Sequence, residues 1–242
     1  WTIGASTLDV WGRPGFQDHV WVGPDGLTSA LIGSPHGNLA SSRVVPEWVA
    51  DHAGRDEAPP WDGRTVLVAV SPDGCRWDLW NDWVGSLPVF YARIGDGWVV
   101  SSLEPVVVAA ARPAVDRISP SSVFGLLVDG HFLNDETLFD NVHVVPPDNH
   151  VTWTGCDVRR QALWSVAPSA DRWETSWDGL VEEMHALATD AVRQALSGTP
   201  RWLLPLSGGL DSSLLVALLA DLAPDLGLGL AEPPQDPVDP AE

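Results

Sequence analysis

Lysine is absent from this 242-residue chain; all 13 basic side chains are arginine. That excludes any chemistry built on a lysine amine, such as a Schiff base or the phosphate-binding lysine of a Walker A loop. Cysteine is nearly absent: Cys75 and Cys156 stand alone, with no CxxC spacing. Two such thiols make neither a disulfide framework nor a zinc knuckle. They read as buried or incidental thiols in a reducing compartment, which points to the cytoplasm. Positive charge is scarce as well. With 33 acidic residues the net charge is −20, and a surface of that sign is repelled by phosphate, so nucleic acid and anionic membranes are poor partners. No apolar run approaches the ~18 residues of a membrane span, and no signal peptide is read at the start, where the first residue is Trp1. The seven histidines are dispersed, without an HxH or HxxxH pair, so no zinc site is expected. Asp9, Asp18 and Asp25 read as turn and surface residues.

The remaining composition suits a packed protein, with 45% hydrophobic residues and 14 tryptophans. Residues 1–160 read as mostly β. Short β-branched and aromatic runs at 20–22, 64–70, 76–80, 88–92 and 98–102 are separated by Pro-Asp-Gly and Gly-Asp-Gly turns. Helices are expected at 44–52, 105–111 and 119–128, the last started by a Ser119 cap with Pro120 at the first position. Trp77, Trp80 and Trp83 fit core and hairpin packing better than a pocket lining. Residues 161–171 read as a linker. Apolar residues then recur at three and four positions from Trp173 to Val192, giving an amphipathic helix over roughly 172–197 that ends at Gly198 and Pro200. A strand at 201–206, a turn at 207–210 and a helix to about 221 follow. Residues 223–242, acidic and proline-rich, are expected to be disordered.

The strand–turn–helix passage LPLSGGLDSS, residues 204–213, carries the most specific chemistry. Gly208 and Gly209 let the backbone approach a ligand closely. Successive N–H groups at the helix start form an anion nest, and Ser207, Ser212 and Ser213 add hydroxyls. Asp211 beside a phosphate is unfavourable unless a Mg²⁺ lies between them, so a polyphosphate–Mg²⁺ ligand suits the loop better than bare phosphate. Taken on its glycines alone, the passage is equally a capped structural turn.

Ser207-Gly208-Gly209-Leu210-Asp211-Ser212 resembles the pyrophosphate loop of the N-type ATP pyrophosphatases, and within them the asparagine synthetase family. Asp82-Trp83-Val84-Gly85-Ser86-Leu87-Pro88-Val89-Phe90-Tyr91 resembles that family's D..G..PLYY stretch. Ser101-Ser102-Leu103-Glu104-Pro105-Val106 resembles its ASE.KAL stretch, with Leu103 inserted and no Lys. Gly130, Thr137-Leu138-Phe139 and Val145-Pro146-Pro147 resemble its G…TLF…LPPG segment.

The resemblance implies an αββα sandwich of the Ntn-hydrolase type at 1–160 and the truncated start of an α/β, Rossmann-like ATP pyrophosphatase domain at 172–222. It implies ATP and Mg²⁺ as cofactors, with Leu206, Ser207, Gly208, Gly209, Leu210, Asp211 and Ser212 on the ATP phosphates and Asp211 on the metal. The implied reaction adenylates a carboxylate and forms an amide. The family's glutaminase half uses an N-terminal cysteine whose own amine is the base; Trp1 stands here, so either a short N-terminal piece precedes it or the chain is without its own glutaminase activity, the latter being the expectation. Lasso-peptide cyclases, which would take a precursor peptide, and β-lactam synthetases are the alternatives. A non-catalytic remnant, paired with itself or with a second polypeptide that completes the domain, is the reading from another class.

Overall fold

The computed structural model describes residues 2–10, 19–35, 44–111, 118–164, 175–196 and 204–222. The chain divides into two compact units, Trp1–Ala167 and Pro168–Glu242.

The first unit is built on antiparallel sheets. A six-stranded sheet runs in the order β11-β10-β6-β5-β4-β3, from Asp157–Ala162, Asn149–Thr154, Arg76–Asn81, Gly63–Val70, Thr28–Pro35 and Val20–Val22. A three-stranded sheet has order β8-β7-β9, from Gly97–Ser101, Phe90–Ile94 and Val142–Val144. Thr2–Ile3 and Ser6–Thr7 form the small ribbon β1-β2.

Strand β5 shows why the sequence forms layers. Its residues 65–70 are all buried, because alternate side chains leave opposite faces of a strand. Val66, Val68 and Val70 join Leu79, Val151 and Trp153 against Val89 and Tyr91 at β7 and Val145 just after β9. Leu67 and Ala69 point the other way, onto Val45 and Val49 of helix α1 (Val44–His52) with Trp61 and Trp80. Behind the smaller sheet, Ala92 and Val142 pack on Val107 and Ala111 at helix α2 (Glu104–Ala110). The layers are therefore helix, sheet, sheet, helix, each with an apolar filling.

Helix α3 (Pro120–Asp129) begins as its sequence dictates. Ser119 Oγ accepts from Ser122 N at 3.3 Å, Pro120 follows the cap, and Gly130 closes the helix at φ 76°. Strand β11 differs from the expectation: Asp157–Ala162 pairs fully with β10, so the linker foreseen from residue 161 starts later. Its charged sequence is that of an edge strand, where arginines face water and ion pairs.

The second unit contains helix α4 (Trp177–Leu196) and helix α5 (Leu210–Leu222). The strand expected at 201–206 is not seen at 204–206, and 201–203 lie outside the described residues. A strand needs a hydrogen-bonded neighbour, and the described residues of this unit offer only helices. Linker residues 165–171 and the tail 223–242 also fall outside the described residues. No described helix is long and apolar enough to cross a membrane.

Candidate functional site

The loop before α5 brings the expected residues onto one turn. Gly208 adopts φ +76°, with no atom within 4 Å of where a Cβ would sit. That left-handed residue turns the chain so that Gly209 N donates to Ser207 Oγ at 3.3 Å. Ser207 Oγ and Ser212 Oγ lie 3.3 Å apart. Ser212 and Ser213 hydroxyls both reach back to Gly209 O, at 3.2 and 2.8 Å. The first turn of any α-helix leaves its N–H groups without intrahelical partners, and here those groups open beside glycines rather than beneath side chains. Ser212 is buried, while Leu206, Ser207, Gly208, Gly209, Leu210 and Asp211 are exposed. Asp211 sits in the first turn of α5. One carboxylate plus phosphate oxygens is a common Mg²⁺ environment, since that ion keeps several waters and takes few protein ligands. Backbone donors, two hydroxyls and one free-standing carboxylate thus fit a phosphate–Mg²⁺ group. Among the described residues no cluster of three or more His, Cys, Asp or Glu could hold a metal by itself.

The first unit holds a second polar constellation, which sequence reading missed. His150 has a fully buried side chain between two carboxylates: Nδ1 lies 3.1 Å from Asp56 Oδ1, and Nε2 lies 2.9 Å from Asp78 Oδ1. Both ring nitrogens thus face carboxylate oxygens. The ring stacks on Trp80, centroids 4.4 Å apart. Arg76 and Thr152 also reach Asp78, at 2.9 and 2.8 Å, and Arg159 grips Asp56 through both terminal nitrogens at 2.6 and 2.8 Å. Burial pushes the Asp78 carboxyl up, but hydrogen bonds from His150, Arg76 and Thr152 outweigh it and hold the group below the usual range. The Arg159 hydrogen bond holds Asp56 low as well.

Thr152 Oγ1, at 3.4 Å from His150 Nε2, makes the group look like a hydroxyl–imidazole–carboxylate triad. The chemistry is otherwise. Nε2 faces the Asp78 carboxylate and the Thr152 hydroxyl donates to that same oxygen, so no base stands free to activate the hydroxyl. The network is a structural bolt between β10, β6 and the 56–57 turn. The signal for it was present as polar residues at alternate positions of two strands, Arg76/Asp78 and His150/Thr152. Only the register Thr152↔Asp78 brings them together.

The motif residues upstream of the loop also prove to be locks. The Asp82 carboxylate accepts from the backbone N–H groups of Thr65, Val84 and Ser86 and from the Ser86 hydroxyl, all at 3.1–3.2 Å. Asn81 donates to Pro146 O and accepts from Asn149 N, both at 2.8 Å. Gly85, at φ +63°, leaves room for Pro147. Thr137 Oγ1 donates to Val142 O at 2.8 Å and accepts from Phe139 N, closing the Thr-Leu-Phe turn. The two thiols are exposed rather than buried, because both sit on turns. Their sulfurs contact backbone carbonyls, Asp73 O at 3.7 Å and Asp96 O at 3.5 Å. Of the three tryptophans, Trp80 is buried, Trp77 is half-buried against the core and Trp83 is exposed.

No protein-family model matches this chain. Asparagine synthetase [glutamine-hydrolyzing] 3 of Bacillus subtilis (strain 168) is 30% identical over 164 residues, 66% of this chain and 24% of that protein. The chain is thus distantly similar to an asparagine synthetase, and spans about a quarter of that relative's length. A solved structure described as that of the allosteric regulatory enzyme of purine biosynthesis aligns at 11% identity, with TM-score 0.38, over 64% of this chain and 32% of that one.

Proposed function

We propose that the chain belongs to an ATP-dependent, amide-forming ligase of asparagine synthetase type, and that residues 206–212 bind the phosphates of ATP. The observation that carries this reading is the open left-handed turn at Gly208, set against the N-terminus of α5 with Asp211 in its first turn. The distant asparagine synthetase similarity supports it. In this reading the first unit is an Ntn-type sandwich, and the second unit belongs to a Rossmann-like pyrophosphatase domain. ATP supplies the adenylate that activates a carboxylate toward an amine, with pyrophosphate departing. The chain's own part is electrostatic. Backbone N–H groups at 210–212, in the first turn of α5, and the exposed Ser207 hydroxyl face the charge that grows on the departing phosphates. Asp211 would hold Mg²⁺, which would supply positive charge to the phosphates. The donors are fixed before any ligand arrives, so little reorganisation opposes binding.

The test is Mg·ATP titration of the chain by calorimetry, then ATP–pyrophosphate exchange with a panel of carboxylic acids. Binding that needs Mg²⁺ and is lost in Asp211→Ala is expected. Absence of binding, or equal binding by Asp211→Ala, sinks the reading.

A second reading, a non-catalytic association module, has one observation in its favour. Helix α4 buries none of its residues, and Trp177, Met184 and Leu187 are all more than 60% exposed. A monomeric chain that binds Mg·ATP in sedimentation and calorimetry excludes it.

A further inference from the structure

Helix α3 is packed inside out. An amphipathic helix on a protein surface turns its apolar stripe inward, yet here Ser122 is the most buried residue of the helix, 1% exposed. Gly125 also faces the protein, where an added Cβ would stand 3.4 Å from His131 O. The outward face carries Phe124, Leu127 and Val128, at the i, i+3, i+4 spacing of one stripe and 67%, 79% and 62% exposed. Ile118, just before the helix, is 58% exposed. Single exposed apolar residues need no explanation, but an apolar stripe on the wrong side of a helix does.

The surroundings define what can cover it. Residues 118–142 contain four carboxylates and neither Lys nor Arg; Asp135 is paired with Arg160 from β11 and meets His143, which leaves Asp129, Glu136 and Asp140. Asp129 ends the helix itself. Glu136 is held against its first turn by the hydroxyls of Ser121 and Ser122, each at 3.2 Å. Glu136 also lines a cleft of about 300 Å³ with Glu104, Phe90 and Phe132. Aromatic walls and two carboxylates are a fit for a cationic side chain with an apolar stem. A second copy of this chain would bring another −20 of charge to the same place, and an anionic bilayer is repelled on the same ground.

We infer that the outer face of α3, with its adjoining acidic cleft, docks a basic amphipathic peptide segment of a partner polypeptide. Leu and Phe side chains of the peptide lie on Phe124, Leu127 and Val128, and an Arg or Lys enters between Glu104 and Glu136. This is helix- or strand-on-helix recognition, with apolar anchors for affinity and a charged rim for orientation and association rate. It holds whether or not residues 206–212 bind ATP.

The probe is a synthetic, fluorescein-labelled amphipathic peptide with leucines on one face and arginines on the other, titrated into the whole chain by anisotropy. Binding is expected to weaken about tenfold in Leu127→Glu and severalfold when salt rises from about 50 to about 500 mM. An acidic version of the peptide is expected not to bind. Equal binding by Leu127→Glu, or by the acidic peptide, overturns the inference. Leu127→Cys supplies the independent check. A water-soluble maleimide should label it rapidly in the free chain and slowly once peptide is bound. Slow labelling without peptide means that the chain's own residues or a second copy cover the face, and overturns the inference too.

Discussion

Asp78 and Asp82 of the first unit are enclosed, whereas the carboxylate in the loop of the second stands open. Asp78 is met by an imidazole, a guanidinium and a hydroxyl, and Asp82 by backbone donors on three residues. Asp211 is exposed in the first turn of a helix whose neighbours are serine and glycine. Asp78 lies within β6, Asp82 follows it, and Asp211 opens a helix. The difference lies in where the hydrogen-bonding capacity goes. A carboxylate saturated by its own protein holds strands together and has nothing left for a ligand. An unsaturated one at a helix start, flanked by unpaired N–H groups, is free to share a cation with a phosphate.

The largest effects should come from exchanging these roles. Asp78→Ala leaves the buried His150 and the Arg76 guanidinium facing an empty site, and removal of one partner from a buried ion pair costs about 3–5 kcal/mol. The tryptophan fluorescence midpoint in urea should fall accordingly. Asp211→Ala should leave that midpoint within about 0.5 kcal/mol of the parent while abolishing Mg·ATP binding. If both variants unfold alike, the contrast between enclosed and open carboxylates is wrong.

The glycines sharpen the same contrast at smaller scale. Gly4 and Gly208 both have positive φ, +54° and +76°. A Cβ on Gly4 would stand 1.9 Å from Asp73 O, because the N-terminal segment is clamped on the 71–76 turn by Ala5 N to Asp73 O and Ser6 Oγ to Gly74 O. A Cβ on Gly208 meets nothing. Gly208→Ala therefore carries only the left-handed strain, about 1–2 kcal/mol, whereas Gly4→Ala adds a backbone clash and should lower the urea midpoint further. Equal losses would show that the N-terminal clamp is looser than its hydrogen bonds indicate.

Much of this architecture was legible and some of it was not, for physical reasons. Helices at 44–52 and 120–129 and the hairpin around Gly95 declare themselves through local signals: β-branched runs, a serine cap, a Gly-Asp-Gly turn. The turn ahead of α5 was legible because Gly208 and Gly209 stand in immediate succession, and Gly208 takes the left-handed φ of +76° that the turn needs. Strand β11 was not, since Arg159 and Arg160 serve as edge-strand ion-pair residues with Asp56 and Asp135, and local sequence shows only a polar stretch. The His150 bolt was hidden for a related reason. Its members come from residues 56, 76–78 and 150–159, and only sheet register makes them neighbours. The exposed face of α3 could not be inferred either, because its apolar spacing suits a buried stripe equally well.

The smallest expected effect concerns a carboxylate that belongs to neither class. Asp148 Oδ2 is buried without a partner among the described residues, and burial pushes this carboxyl up from its ordinary value. Asp78 and Asp56 lie low, so their stabilisation is present above about pH 4, where unfolded carboxyls ionise, and is lost as pH falls through their lower folded values. Asp148 has the opposite sign. Its raised folded value means the fold prefers the neutral acid, so ionisation at neutral pH weakens the structure and protonation restores it as pH falls. Asp148→Asn should therefore raise the urea midpoint slightly at pH 7 and leave it unchanged well below pH 4, where the parent carboxyl is already neutral. Asn tolerates the residue's φ of +56°, and the backbone bond from residue 148 to Asp82 O is retained. A gain of the same size at both pH values would mean that backbone preference alone is being measured. No gain at either would mean that water satisfies Oδ2, and that the first unit encloses its carboxylates less completely than Asp78 and Asp82 indicate.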